Sequence, residues 1–306
     1  MCRFLLNLVN KSTLLLLLLS CQGLSAAIIS TEVTAESYSL SYPEPEYAVY
    51  DSRTDEHDAY LDTISDFYDT SVHADSHVEA RNDGIAFLVT RKYQAAESAG
   101  RTAIRYQLEN DSAEARKFSL RFNPLFGFLT AYCADPDGQF DNDTDSTLAC
   151  GPDDFAIASY DAGIWLNDQL IWSSMARLRS DINGVSLDTA GTVLGSFYPD
   201  ESNYRWDSQW LDLTLDVFNP GEQFSLLYSV NVNVGGQVEL QGATSCVPFD
   251  CPYPDNVALA EYGTYQFVEN GEQQIQFSSA ALQVTEPVTL GVFVLGLLLL
   301  VIVRRC

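Results

Sequence analysis

From Phe224 to Val234 every second residue is apolar. Phe224, Leu226, Tyr228, Val230, Val232 and Val234 alternate with Ser225, Leu227, Ser229, Asn231 and Asn233. A period of two places the first set on one face of a strand and excludes an amphipathic helix. The same alternation recurs at Leu211, Leu213, Leu215 and Val217, at Thr102, Ile104, Tyr106 and Leu108, at Phe118, Leu120 and Phe122, and at Ile85, Phe87 and Val89. Turn-forming residues separate the runs: Asn219-Pro220-Gly221, Glu109-Asn110-Asp111-Ser112, and Asn167-Asp168 between Ile164-Trp165-Leu166 and Leu170-Ile171-Trp172. Many short strands with few helical patterns predict an all-β fold, an antiparallel β-sandwich of jelly-roll or immunoglobulin-like type. That sandwich is expected over residues 84–284. Residues 28–83 read as an acidic N-terminal arm that could join it. There Tyr60, Leu61, Ile64, Phe67 and Tyr68 have helical spacing, whereas Val72, Ala74, Val78 and Ala80 look strand-like.

Charge narrows the function. Lys and Arg number 16 against 42 Asp and Glu, for a net charge of −26 over 306 residues. Nucleic-acid binding needs cations to neutralise phosphate, and that class is excluded. Adhesion to anionic lipid through charge is excluded for the same reason.

Both ends are greasy. Met1-Cys2-Arg3 and Lys11 precede a leucine run, Leu14 to Leu19, and then Gly23-Leu24-Ser25-Ala26-Ala27. A basic start, a short apolar stretch and small residues at a cut site make a secretory signal peptide over residues 1–27. Leu18-Leu19-Ser20-Cys21 also resembles the lipobox of bacterial lipoproteins, a competing reading. At the other end, Thr285-Glu286-Pro287 stands before a nearly unbroken apolar run, 288–303, and then Arg304-Arg305-Cys306. The run is at the short edge of what spans a bilayer, and the arginines mark its cytoplasmic side. A plain membrane anchor would need only the apolar length and leaves Glu286-Pro287 unexplained.

This three-part tail, residues 285–306, resembles the PEP-CTERM sorting signal of Gram-negative bacteria, with Thr285 in place of the first Pro and two arginines at the end. The resemblance implies that Thr285, Glu286 and Pro287 are the recognition motif and that Arg304 and Arg305 are the stop. It implies a transient stay in the inner membrane through the transmembrane helix, cleavage by an exosortase-like membrane protease, and release to the cell surface or the exopolysaccharide matrix.

Once Cys2, Cys21 and Cys306 leave with the ends, Cys133, Cys150, Cys246 and Cys251 remain. An even number in an exported chain suggests disulfides, with local pairing of Cys133 with Cys150 and Cys246 with Cys251 expected. The segment between the first two carries Asp135, Asp137, Asp141, Asp143 and Asp145 with Gly138. Alternating Asp around a Gly turn suits Ca2+, although Pro152 occupies the closing-Glu position counted from Asp141. A solvated acidic loop closed by a disulfide is the alternative.

Nothing in the sequence spells a catalytic site: G-x-S-x-G, H-E-x-x-H and P-loop patterns are all missing. His73, Asp75, His77 and Glu79 would share one face of a strand, where they form either a metal site or an exposed polar face. Trp165 and Trp210 are candidate stacking surfaces for sugars. The expected function is therefore a structural or adhesive protein of the surface or matrix. A module binding extracellular polysaccharide is the alternative, and a polysaccharide hydrolase is the least favoured.

Overall fold

The computed structural model describes residues 27–41, 48–67, 72–93, 96–124, 126–133, 150, 152–237, 257–262 and 275–281. Among them are seventeen strands, numbered along the chain, and a single 3-10 turn at Pro199–Glu201. No described helix is long and apolar enough to cross a membrane.

The strands form three antiparallel sheets. The first contains β1 (Ala27–Ser41), β2 (Val49–Asp55), β6 (Ala96–Glu109), β9 (Phe155–Leu166), β10 (Gln169–Asp181), β11 (Gly184–Gly191) and β15 (Gln223–Gln237), in the order β11-β10-β9-β15-β6-β1-β2. The second contains β3 (Asp58–Phe67), β4 (Val72–Arg81), β5 (Ala86–Tyr93), β8 (Gly127–Tyr132), β12 (Ser196–Tyr198), β13 (Asn203–Trp206) and β16 (Val257–Tyr262), in the order β12-β13-β8-β16-β5-β4-β3. The third is small, β14-β7-β17, built from β7 (Arg116–Phe122), β14 (Leu211–Phe218) and β17 (Ile275–Ala281).

The two large sheets pack face to face. β1 lies over β3 and β4, β6 over β4 and β5, β15 over β5 and β16, and β9 over β16 and β8. The expected inner face of β15 is buried throughout, from Phe224 to Val234. Tyr228 shows how the three sheets share one core. Its hydroxyl hydrogen-bonds that of Tyr262 in the second sheet at 3.0 Å, and its ring meets Phe122 of the third at 6.1 Å. Around this point Tyr160, Tyr204, Trp206 and Tyr262 form a second aromatic cluster, with Tyr160 and Trp206 centroids 4.7 Å apart. Packing is tight enough that a Cβ on Gly127 would overlap the Trp206 ring, so only glycine fits there.

Toward β1 and β3 the interior turns polar. Ser37 and Thr63 hydroxyls lie 2.7 Å apart, Ser39 bonds Thr63 at 3.0 Å, and Ser98 donates to the Asp75 carbonyl at 2.7 Å. These buried hydroxyls pair with one another and with backbone, which offsets their desolvation.

The Asn167-Asp168 hairpin forms between β9 and β10 as anticipated. Both residues take positive φ, 48° and 65°, the left-handed geometry that a tight two-residue turn requires. Asn219-Pro220-Gly221 is also a turn, but it carries the chain from the third sheet into the first. The helical spacing from Tyr60 to Tyr68 is misleading. Residues 58–67 are strand β3, with Ala59, Leu61 and Thr63 buried while Tyr60 and Ile64 are 47% and 58% exposed. β3 is an edge strand, and apolar side chains on both its faces imitate a helical stripe. The N-terminal arm is an integral part of both sheets, with β1 in the interior of the first, paired to β6 along its whole length.

Candidate functional site

Of the residues singled out from sequence, Cys133 and Cys150 meet. They are joined in a disulfide with Cα atoms 5.4 Å apart. Cys133 directly follows β8 of the second sheet, and its amide donates to Ser180 Oγ of β10 at 3.1 Å. The bond therefore sits where the chain crosses between the large sheets. Asp135, Asp137, Asp141, Asp143 and Asp145 lie outside the described residues, as do Cys246, Cys251, Thr285, Glu286, Pro287, Arg304 and Arg305.

The two tryptophans do not share a surface. Trp165 points outward from β9 and is half-buried, its indole folded over Gly163, whose missing side chain makes the room. Trp210 stands just before β14 in the third sheet, with the Arg121 guanidinium 4.9 Å above its ring. Trp172 and Trp206 are core residues.

β4 presents Asp75, His77 and Glu79 outward. His77 Nδ1 is 2.8 Å from Asp62 Oδ1 on β3, and the Tyr60 hydroxyl donates to the other oxygen of Asp62. Asp75 is instead 3.3 Å from Arg91 on β5. The face divides into cross-strand pairs that do not converge. Among the described residues no group of three or more His, Cys, Asp or Glu could hold a metal ion. Glu261 shares the register row of His77 and Asp62, and burial raises its carboxyl against the lowering effect of Arg91. Three strand spacings separate Glu261 from Asp62, about 14 Å. That exceeds the ~5–9.5 Å over which paired carboxylates cleave glycosides.

The outer face of the first sheet has a different chemistry. One register row runs Tyr50, Tyr38, Ala99, Asn233, Ser159, Arg177 across six strands. The adjacent row runs Glu36, Arg101, Asn231, Asp161, with Arg101 and Glu36 paired at 3.3 Å. Two shallow depressions, of about 450 and 290 Å³, share Tyr38, Ala99 and Asn233 and so form one trough. Burial and the neighbouring Glu97 raise the Tyr38 hydroxyl above its ordinary value, keeping it a donor. The amides of Asn231 and Asn233 were visible in the sequence as the polar half of β15. Their position beside two tyrosines depends on β1 pairing with β6, which no local pattern reveals.

A second concavity of about 800 Å³ opens at the β12 edge of the second sheet, lined by Phe126, Phe128, Tyr198, Asn203, Arg205 and Asp207 among others. None of these attracted notice in the sequence, because they come from three short segments that meet only in the folded chain.

No protein family matches the chain, and no curated protein matches it in sequence. Among solved structures, it is similar to the enzymatically active domain of bacteriophage CBA120 tailspike protein 4, at 12% identity and a TM-score of 0.16, covering 68% of this chain and 19% of that one. It is also similar to the GH31 alpha-xylosidase of Xanthomonas citri, at 9% identity and a TM-score of 0.10, covering 74% of this chain and 33% of that one. The chain thus spans a third or less of these structures, and similarity at this level carries no argument about function.

Proposed function

We propose that this chain is an exported structural or adhesive protein of the cell surface or exopolysaccharide matrix, trimmed by an exosortase-like membrane protease. The observation that carries this reading is the tail Thr285-Glu286-Pro287, apolar run, Arg304-Arg305 on a chain that opens with a signal peptide. The disulfide between Cys133 and Cys150 supports an oxidising destination. β1 opens at Ala27, so signal cleavage after Ala26 or Ala27 leaves the first sheet essentially whole. The acidic body keeps the protein soluble, and divalent cations such as Ca2+ would bridge it to anionic polymers, the Asp135–Asp145 segment being the first candidate ligand set. A jelly-roll or immunoglobulin-like type is the finer reading of the sandwich. Mass spectrometry of the extracellular fraction tests the proposal: the mature protein should lack Arg304 and Arg305, and an intact C-terminus would count against it.

A second reading, a carbohydrate-binding module, is supported by the trough on the first sheet. Tyrosine faces beside amide and carboxylate side chains suit stacking and hydroxyl recognition. A glycan array comparing the native chain with Tyr50→Ala tests it.

A further inference from the structure

We infer that the β11 edge of the first sheet is a dimerisation surface, and that its partner is β11 of a second copy of this chain, paired antiparallel about a two-fold axis. Such pairing needs neither export nor sugar binding.

An edge strand presents unpaired backbone donors and acceptors, and proteins guard these edges with charge, proline, bulges or brevity. The two large sheets end in β2, β3, β11 and β12. β2 carries Asp51, Arg53 and Asp55, and β3 carries Asp58, Asp62 and Asp66. β12 has only three residues, with Pro199 directly after it. β11 lacks all of these guards. Its 8 residues pair with β10 without a register shift, include no proline, and hold a single charge, Asp188.

The β10–β11 ladder shows which backbone groups turn outward. Thr192, one register position beyond Gly191, donates its amide to the carbonyl of Ser173, directly opposite, at 2.8 Å. Hydrogen-bonded pairs alternate along an antiparallel ladder, so Ala190, Asp188 and Ser186 also turn their backbone groups toward β10. Val185, Leu187 and Thr189 therefore turn theirs away from the sheet.

Symmetry then restricts the register. A two-fold axis normal to the sheet keeps the outer face of both copies on one side, so residues of like facing meet. With Asp188 on the axis, two carboxylates would face each other in the closer type of pair, which is unfavourable. With Leu187 on the axis, Asp188 meets Ser186 of the second copy and Val185 meets Thr189, so the outward amides and carbonyls of β11 find partners. The same register sets Ile182 of one copy against Thr192 of the other, next to Val193. These two apolar side chains bracket the strand at 56% and 58% exposed, and the pairing covers them together. Charge permits the approach. On a chain of net charge −26, the surface flanking this edge sets Arg177 and Arg179 beside Asp181 and Asp188, with Arg177 opposite Asp188 and Arg179 2.9 Å from Asp181.

Sedimentation velocity of the purified full chain in mild detergent, across a dilution series, tests the pairing. A monomer–dimer equilibrium is expected. Ser186 is exposed and lies opposite Arg179 of its own chain, so Ser186→Asp suits the fold while facing Asp188 of the second copy at both ends of the interface. It should weaken the dimer about tenfold, and Ser186→Lys should tighten it. Thr189→Pro removes an outward donor and should abolish the dimer. Should Thr189→Pro fail to fold, the two Ser186 variants decide. A chain that stays monomeric at every concentration would overturn the inference. So would a dimer indifferent to both charges, as association through the apolar tail would be, and so would species that keep growing past the dimer, because a two-fold edge closes on itself.

Discussion

The Lys92 ammonium occupies the space that a side chain on Gly236 would fill: a Cβ built at Gly236 would collide with Lys92 Nζ. Lys92 projects from β5 into the sandwich, is 0% exposed, and reaches the inner surface of β15 where that strand has two glycines in succession. Burial pulls its pKa down to about 7, partly opposed by the negative charge of Glu97.

A pH dependence follows. The ordinary lysine value is 10.5, so between about pH 7 and 10.5 the unfolded chain binds a proton that the folded chain has released. Stability therefore rises as pH increases through that window, and below about pH 7 the folded state carries the burden of a buried charge. Replacing Lys92 by Met removes the charge at similar length. Lys92→Met should be more stable than the native chain by a few kcal/mol at pH 6, with the gap narrowing toward pH 10. Melting curves at the two pH values check this, and an equal gap at both would contradict it.

Asn110 ties two turns together. It is buried, and its Nδ2 donates to the carbonyls of Phe218 at 2.8 Å and Glu114 at 2.9 Å, while its Oδ1 accepts from the Ser112 amide and hydroxyl. Its backbone carbonyl also accepts from Gly221. Asn110→Ala would remove the side-chain partner of the Phe218 carbonyl and of the Ser112 amide, while the Ser112 hydroxyl still donates to the Glu114 carbonyl at 2.7 Å. The expected loss is about 2–4 kcal/mol in urea denaturation. A loss near 0.5 kcal/mol would show that water substitutes freely at this junction.

The Cys133–Cys150 bond, spanning a separation of 17 residues, should contribute about 3 kcal/mol by restricting the unfolded chain. Denaturant titrations with and without reductant, beside the double variant Cys133→Ser/Cys150→Ser, measure it. The double variant isolates this bond, and any further loss in reductant measures the effect of reducing Cys246 and Cys251.

Calcium provides a fourth test. Scanning calorimetry should show a higher melting temperature in millimolar Ca2+, and Asp143→Ala should remove the shift. An unchanged melting temperature would discard the segment from Asp135 to Asp145 as a calcium ligand set.

Much of the architecture was legible from periodicity. The runs at Phe224, Leu211, Thr102 and Phe118 are strands, because one buried face imposes alternation on each. Periodicity failed at β3, whose edge position leaves Tyr60 and Ile64 exposed beside buried Leu61. Lys92 was invisible for a related reason: a buried lysine follows no apolar pattern, and only the pairing of β5 with β4 and β16 shows which face it occupies. Both concavities were beyond reach too. Tyr38 and Asn233, or Tyr198 and Phe128, become neighbours through pairings distant along the chain, and composition does not encode these.

The crossing bond between Cys133 and Cys150 also shapes how the protein withstands proteolysis. A protease that cuts anywhere between these two cysteines severs the polypeptide without separating the halves, which stay covalently tethered and clasped across the large sheets. A nicked molecule would run as one band on a non-reducing gel and as two after reduction, so damage at this acidic span would be survivable so long as the surroundings remain oxidising.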